Sequence, residues 1–154
     1  MVLSREYEIK IRGRLGPDEK DIKRIDILGR ILELEKWGCS WKADPRHRKL
    51  VLQHFGFDNS TKHLQTNGVK EVETEGGCDD TPLNPQESTA FRALVARLNY
   101  LSMDCPNLQY PTKEICREMS APTTGAYRRL KRLVRYVVGV QEVKWYFRWQ
   151  NLEV

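Results

Sequence analysis

The chain has 154 residues, of which 40% are hydrophobic and 31% are charged, and its formal net charge is +5 at pH 7. This composition is typical of one globular domain or two small ones and argues against an intrinsically disordered chain. No apolar run approaches the ~20 residues that cross a bilayer, and the first residues lack the pattern of a signal peptide. We therefore expect an intracellular protein, cytoplasmic or nuclear, with no membrane partner.

The cysteines and histidines do not have the spacing of a metal site. The cysteines are widely separated and form no C-x-x-C pair, and the histidines make no ligand pattern with them. Structural zinc sites use closely spaced pairs of ligands. The sequence therefore predicts free thiols and no bound metal.

The N-terminal part alternates apolar and polar residues with the period of half-buried strands. The first such stretch is 7–12. A second strand is predicted over 25–34, with a bulge or a close backbone approach at Gly29. The stretch 39–42 is predicted to return beside it, which would make a β-hairpin.

A helix is predicted to follow this hairpin. Asp44 can accept hydrogen bonds from the free N–H groups of the first turn, and Pro45 suits the first helical position. His47 and His54 fall on one face of this helix, where a packing role is the simpler expectation than a chemical one. Gly56 is placed to end the helix.

The segment 58–83 has neither helical nor strand periodicity. It contains the pairs Asn67-Gly68 and Gly76-Gly77, many acidic residues and few large apolar ones. Such a composition is typical of a flexible, solvated linker. We therefore expect a domain boundary here, between residues 1–57 and a helical region at 84–140.

Three amphipathic helices are predicted in 84–140. Asn84 and Glu87 have the spacing of a capping box at the start of the first helix. Pro106 is predicted to end that helix and Pro111 to begin the second. An aromatic, strand-like stretch follows at 143–149, within a C-terminal part at 141–154, and no partner strand comes after it.

The third helix has an apolar side and a basic side at roughly 100° per residue. The apolar side contains Tyr127, Leu130, Leu133, Val134, Val137 and Val138. The basic side contains Arg128, Lys131, Arg132 and Arg135, with Arg129 at its margin. A row of cations can neutralise the phosphates of a nucleic acid, but a solvated helix face explains the same pattern.

No catalytic motif stands out in the sequence. A P-loop, G-x-S-x-G, H-E-x-x-H and a Cys/His metal cluster are all absent. We therefore predict no catalytic and no metal-binding residues. Binding along a polyanionic backbone is the function that the residues themselves favour most.

Several stretches of the sequence resemble a known family. In that family's pattern, an aromatic-x-x-x-(Val/Ala)-G/A-x-L-x-Y-L helix is followed by R-P-D-I. This chain has FRALVARLNYL at 91–101 and CPNL at 105–108. These two stretches resemble the thumb region of Copia-type (Ty1/copia) retrotransposon reverse transcriptases. EMSAPT at 118–123 is similar to that family's F-M-S-N-P-T, and LKRLVRYVVG at 130–139 to its L-K-R-V-L-R-Y-L-K-G-T. ILGRIL at 27–32 is similar to its I-L-G-M-E-I.

The resemblance covers about residues 7–149 and implies an α+β fold. Residues 1–57 would be the end of the palm domain with a small antiparallel hairpin and a helix, 58–83 a linker, 84–140 a three-helix thumb, and 141–154 the start of a connection to an RNase H module. The hairpin that contains Leu28, Gly29 and Arg30 would be the primer grip, the palm element that holds the 3′ end of the growing strand. Arg128, Arg132 and Arg135 would contact nucleic acid.

The resemblance also limits the expected activity. The family's Y-x-D-D aspartates, which hold the Mg²⁺ ions of the polymerase, would fall before this chain begins. We therefore expect no cofactor and no polymerase activity in this chain alone. Its partners would be an RNA–DNA or DNA template–primer duplex and the remainder of the Pol polyprotein. A protein–protein interaction module and an inert remnant are the alternatives.

Overall fold

The computed structural model describes residues 8, 10, 12–58, 60–67, 80–140 and 143–150. Four strands and four helices follow one another along the chain: β1 (Arg24–Ile27), β2 (Arg30–Glu35), β3 (Gly38–Lys42), α1 (Pro45–His54), α2 (Pro85–Ser102), α3 (Pro106–Cys116), α4 (Thr124–Gly139) and β4 (Lys144–Arg148). The predicted α+β class is confirmed. In the described part of the chain, the helices fall short of the length and apolarity that a membrane span requires.

The chain forms two compact units. A sheet unit consists of Met1–Trp41 together with Lys144–Val154, and a helical unit consists of Lys42–Val143. Helix α1 thus belongs to the same unit as α2, α3 and α4. The division into a palm part, a linker, a thumb and a connection stays a prediction.

The sheet has four strands in the order β1-β2-β3-β4. Strands β1 and β2 are antiparallel, with Ile27 opposite Arg30 and Arg24 opposite Glu33. The prediction of one strand over 25–34, with a bulge or a close backbone approach at Gly29, is therefore wrong, because the chain reverses at Leu28 and Gly29.

The reversal between β1 and β2 is a two-residue turn of Leu28 and Gly29. Both have positive φ, +53° at Leu28 and +80° at Gly29, as in the type I′ turns that match the twist of paired strands. The Gly29 N–H donates to Asp26 Oδ1 at 3.0 Å. Glycine adopts positive φ without strain, whereas leucine does not.

The strain at Leu28 gives a testable expectation. Left-handed backbone costs a residue with a Cβ roughly 1–2 kcal/mol, and asparagine tolerates it best among such residues. We expect Leu28→Asn to raise the free energy of unfolding of the sheet unit by about 0.5–1 kcal/mol. Denaturant unfolding followed by tryptophan fluorescence would measure it; a loss of stability would contradict a strained turn.

Strand β4 does have a partner, but that partner comes before it in the sequence. It lies beside β3, and the Trp149 N–H donates to the Trp37 carbonyl at 3.1 Å. Gly38 permits this approach, since a Cβ there would lie 2.1 Å from the Phe147 carbonyl oxygen. The predicted strand at 7–12 falls largely outside the described residues.

The helical unit begins as the sequence predicts. Asp44 caps α1 by accepting from the Arg46 N–H at 2.9 Å, and Pro45 is the first helical residue. Asn84 and Glu87 form the predicted capping box of α2. The centre of the core consists of fully buried side chains from all four helices: Val51, Phe91, Val95, Leu98, Leu108, Leu130, Val134 and Val137.

Helix α3 begins at Pro106 and not at Pro111, so the predicted start is wrong. Pro111 lies inside the helix, where it has no N–H to donate to the carbonyl four residues earlier. That carbonyl belongs to Asn107, and it accepts instead from Asn67 Nδ2 at 2.6 Å. A side chain from another segment thus replaces the missing helical bond.

Both described ends of the predicted linker are attached to the helices. At the first end, the Leu64 N–H donates to the Arg135 carbonyl at 3.3 Å. At the second end, Thr124 donates its N–H to Thr81, and Leu83 donates its own to Pro122. These bonds fix the described parts of 58–83 against α4 and the turn that precedes it.

Candidate nucleic-acid interface

Helix α4 carries the basic residues that the sequence singled out. Thr123 caps it, with its hydroxyl accepting from the Ala126 N–H at 3.2 Å. Its apolar side is buried as predicted in the core of the helical unit, except that Tyr127 is half-buried. The opposite side presents four exposed cations, namely Arg128, Arg129, Lys131 and Arg132. We call these four residues the basic face of α4.

The three arginines predicted to contact nucleic acid differ in their exposure to solvent. Arg128 and Arg132 are exposed, whereas Arg135 is half-buried. The Arg135 guanidinium donates to the Lys62 carbonyl at 3.3 Å, and its own carbonyl accepts from Leu64. Arg135 therefore holds the segment 60–67 on the helix.

Two acidic side chains lie at the N-terminal end of the basic face. Glu118 accepts from Arg129 Nε at 3.1 Å. The Asp80 carboxylate accepts from the Gly125 N–H at 2.8 Å. Hydrogen bonds from Thr123 and Gly125, with Arg129 and Arg128 nearby, hold the pKa of Asp80 below its usual value. Both acidic groups therefore lie near the first turn of α4.

Two other arginines of the helical unit donate to backbone carbonyls, one in the last turn of α4 and one in the turn that follows α3. Arg48 donates to the Val138 carbonyl at 3.0 Å. Arg92 donates to the Met119 carbonyl at 2.7 Å and to the Ser120 carbonyl at 3.3 Å. Cations stabilise the free carbonyls at helix C-termini. Sequence reasoning missed this role because the partners lie far away in the chain.

The predicted primer-grip-like residues lie in the sheet unit, around the β1–β2 turn. The Leu28 side chain is 81% exposed at the tip of this turn. Arg30, the first residue of β2, is half-buried, and its guanidinium lies 5.8 Å from the ring centre of Trp41. The turn thus presents an apolar tip with a cation beside its base.

The described cysteine and histidine side chains pack against or bond to their neighbours. Burial and the neighbouring Asp104 raise the pKa of the Cys105 thiol to about 11, which keeps it protonated and unreactive at neutral pH. His54 Nε2 lies 3.2 Å from the Tyr127 hydroxyl, and His47 packs on the Tyr100 ring. Within the described ranges, no three His, Cys, Asp or Glu side chains group so as to hold a metal ion.

Comparison with known proteins finds a short stretch of similarity. The chain is 38% identical over 64 residues to a protein of Arabidopsis thaliana named "Uncharacterized mitochondrial protein AtMg00810". The aligned part covers 37% of this chain and 27% of that protein, so the chain spans about a quarter of the length of this curated relative. No protein-family model and no solved structure matches. The similarity indicates shared ancestry over the aligned part.

Proposed function

We propose that this chain is a retrotransposon-derived protein that binds nucleic-acid duplexes through the basic face of α4. More specifically, we propose that it is the C-terminal part of a Copia-type reverse transcriptase, comprising the palm end and the thumb. The ordered series of matching motifs at 27–32, 91–108, 118–123 and 130–139 supports this origin, and the similarity to the Arabidopsis protein is consistent with it. The chain would bind template–primer without polymerising.

The exposure of the basic face is the observation that carries this proposal. The four cations lie within residues 128–132, which is about one and a half turns of the helix, and their side is turned away from the core of the helical unit. Each phosphate that such a cation neutralises releases condensed counterions, which makes the affinity fall as salt rises. Because a phosphate backbone is a regular row of charges, it suits a row of cations without any reading of base sequence.

The β1–β2 turn supplies a second, smaller argument. A strained backbone persists where its surroundings or its function require it, and Leu28 combines positive φ with 81% exposure. An apolar tip of this kind can pack on the sugar or base at a strand end, with Gly29 permitting close backbone approach. We propose that Leu28, Gly29 and Arg30 contact the primer end.

A double charge-reversal variant of α4 tests the proposed duplex binding. In Arg128→Glu/Arg132→Glu, repulsion would replace two phosphate contacts. We expect the affinity for an RNA–DNA duplex to fall roughly tenfold or more at low salt, and the slope of log K against log salt to shrink by about 2. Arg135 is left unchanged because it holds 60–67 on α4.

The control for this double variant is a second double variant, Lys49→Glu/Lys113→Glu. It makes the same change in net charge at two exposed lysines on α1 and α3 of the same unit. Fluorescence anisotropy over a salt series would measure all three proteins. The proposal fails if the unchanged protein does not bind the duplex at low salt, or if the control pair loses as much affinity as the α4 pair.

A further inference from the structure

A groove lies in the helical unit between the first turns of α2, the first turns of α4 and the end of α1. Its volume is about 690 Å³, within the range of about 300–1,000 Å³ that is typical of ligand sites. We call it the α2–α4 groove. Its lining includes Leu83, Gln86, Glu87, Ala90, Tyr127 and Arg128.

The apolar part of the lining contains an aromatic ring that is held in place. Leu83, Ala90 and Tyr127 are half-buried. The Tyr127 hydroxyl lies 3.2 Å from His54 Nε2, at the end of α1. Burial and the nearby Glu87 carboxylate raise the pKa of this hydroxyl, so it stays protonated at neutral pH. A fixed, uncharged ring is a surface on which a flat molecule can stack.

Gln86 and Glu87 supply hydrogen-bonding groups beside this ring. Both side chains are exposed. Glu87 Oε2 accepts from the Asn84 N–H at 3.2 Å in the capping box. A carboxylate has about four acceptor positions, and a glutamine amide has donors and an acceptor. The groove therefore suits a flat ligand that has N–H groups along its edge.

Arg128 connects the α2–α4 groove to the basic face of α4. It lines the groove and is also the first of the four exposed cations of that face. A phosphate held by Arg128 thus lies at the edge of the groove. Sites for single-stranded nucleic acid combine cations that follow the backbone with aromatic side chains on which bases stack. Arg128 and Tyr127 bring these two elements together.

We propose that the α2–α4 groove takes up an unpaired base of the nucleic acid whose phosphates lie on the basic face of α4. The base would stack on Tyr127 and donate from its edge to Glu87. This inference rests on the proposed duplex binding, because that binding brings a strand to Arg128. Adenine, cytosine and guanine carry an exocyclic amino group and suit the Glu87 carboxylate better than thymine or uracil, which lack one.

An apolar side chain of a protein partner suits the same groove less well. It would cover Gln86, Glu87 and Arg128 without forming hydrogen bonds with them, and such burial of polar groups costs free energy. A nucleic-acid base has apolar faces and a polar edge. It therefore matches both the aromatic and the polar parts of the lining.

Three RNA–DNA duplexes separate the groove from the basic face. The first is blunt, the second has a short adenine overhang, and the third has the same overhang with abasic sites, which keep the phosphates but lack the bases. By fluorescence anisotropy at low salt, we expect the adenine overhang to bind roughly fivefold or more tightly than the abasic one.

The outcomes for the groove and for duplex binding differ. Equal affinities for the two overhangs, with the blunt duplex bound, would overturn the base site, leave duplex binding standing and favour an apolar protein side chain as the occupant. If the unchanged protein binds none of the three duplexes, both proposals fail.

Two alanines of α2 provide matched variants. Ala90 lines the groove, whereas Ala93, about one turn later, is exposed and lies outside it. Ala90→Leu should bring the two overhangs to equal affinity, because leucine fills the space of the base. Ala93→Leu should keep the difference. The same ratio of affinities in the two variants would overturn the proposal.

A measurement on the unchanged protein guards against misfolding of the variants. Hydroxyl-radical footprinting reads the solvent access of each aromatic ring by mass spectrometry. The adenine overhang should lower the oxidation of Tyr127 more than the abasic overhang does, while that of Tyr110, which is 73% exposed on α3, should not differ between them. Equal oxidation of Tyr127 with the two overhangs would exclude a base at this ring.

Discussion

Phe91→Ala is expected to lower the free energy of unfolding of the helical unit by about 3–5 kcal/mol. Phe91 is the largest of the fully buried side chains in the centre of that unit, where all four helices contribute to the core. The substitution removes an aromatic ring and leaves a cavity that the surrounding helices only partly close. Since domains of this size are stable by roughly 5–15 kcal/mol, the loss would be a large part of the total.

The measurement is urea unfolding followed by helical circular dichroism, because α1 to α4, the helices of the described residues, lie in this unit. Tyr110→Ala is the control: it removes an aromatic ring from α3 that is 73% exposed, and we expect a change within about 0.5 kcal/mol. Similar losses in the two variants would show that Phe91 does not lie at the centre of the core.

Asp44→Ala is expected to lower the free energy of unfolding by about 2 kcal/mol at neutral pH. The Asp44 carboxylate is 2% exposed, caps α1 and makes a two-pronged ion pair with the Arg46 guanidinium at 2.7–3.0 Å. Arg46 itself remains largely exposed, so its charge is not left buried when the carboxylate is removed. The loss therefore reflects the cap and the ion pair.

The charge of Asp44 also makes stability depend on pH. Hydrogen bonds from the Arg46 side chain hold the pKa of Asp44 below its usual value. A group whose pKa is lower in the folded state contributes stability above its unfolded pKa of about 3.9, and this stability is lost as the pH falls through the folded pKa. Asp44→Asn keeps an acceptor at the cap without the charge.

Comparison of the unchanged protein with Asp44→Asn isolates this contribution. The difference between their free energies of unfolding should be constant at neutral pH and should shrink only below pH ~4. Thermal or urea unfolding over a pH series would measure it. A difference that is the same at acidic and neutral pH would mean that the ion pair with Arg46 contributes nothing.

Local signals in the sequence predicted the helices well, because their causes are local. Asp44 with Pro45 and Asn84 with Glu87 predicted the starts of α1 and α2, and the spacing of apolar residues predicted which side of α4 is buried. The start of α3 differs from the prediction because Pro111 lies inside the helix. The Asn107 carbonyl, which Pro111 cannot bond, accepts from Asn67, forty residues earlier than Asn107, and no local pattern predicts that bond.

The features that the sequence does not predict depend on contacts between residues that are distant in the chain. The sequence does not predict the turn at Leu28 and Gly29, because leucine rarely adopts the positive φ that a type I′ turn needs. The partner of β4 is β3, which lies about a hundred residues earlier, and no local pattern specifies that pairing. For the candidate interface, periodicity identified the basic side of α4, but the bond from Arg135 to Lys62 depends on the fold of 60–67.

The pairing of β3 with β4 has a consequence for the order of folding. Lys144 and Glu33, which form an ion pair in the sheet, are separated by 111 residues, and the whole helical unit lies between them. During synthesis, α1 to α4 can therefore pack before β4 has left the ribosome, while the sheet must wait for its last strand. Until then the edge of β3 is open to other strands. The interval between synthesis of β3 and of β4 is thus when this chain is most exposed to aggregation.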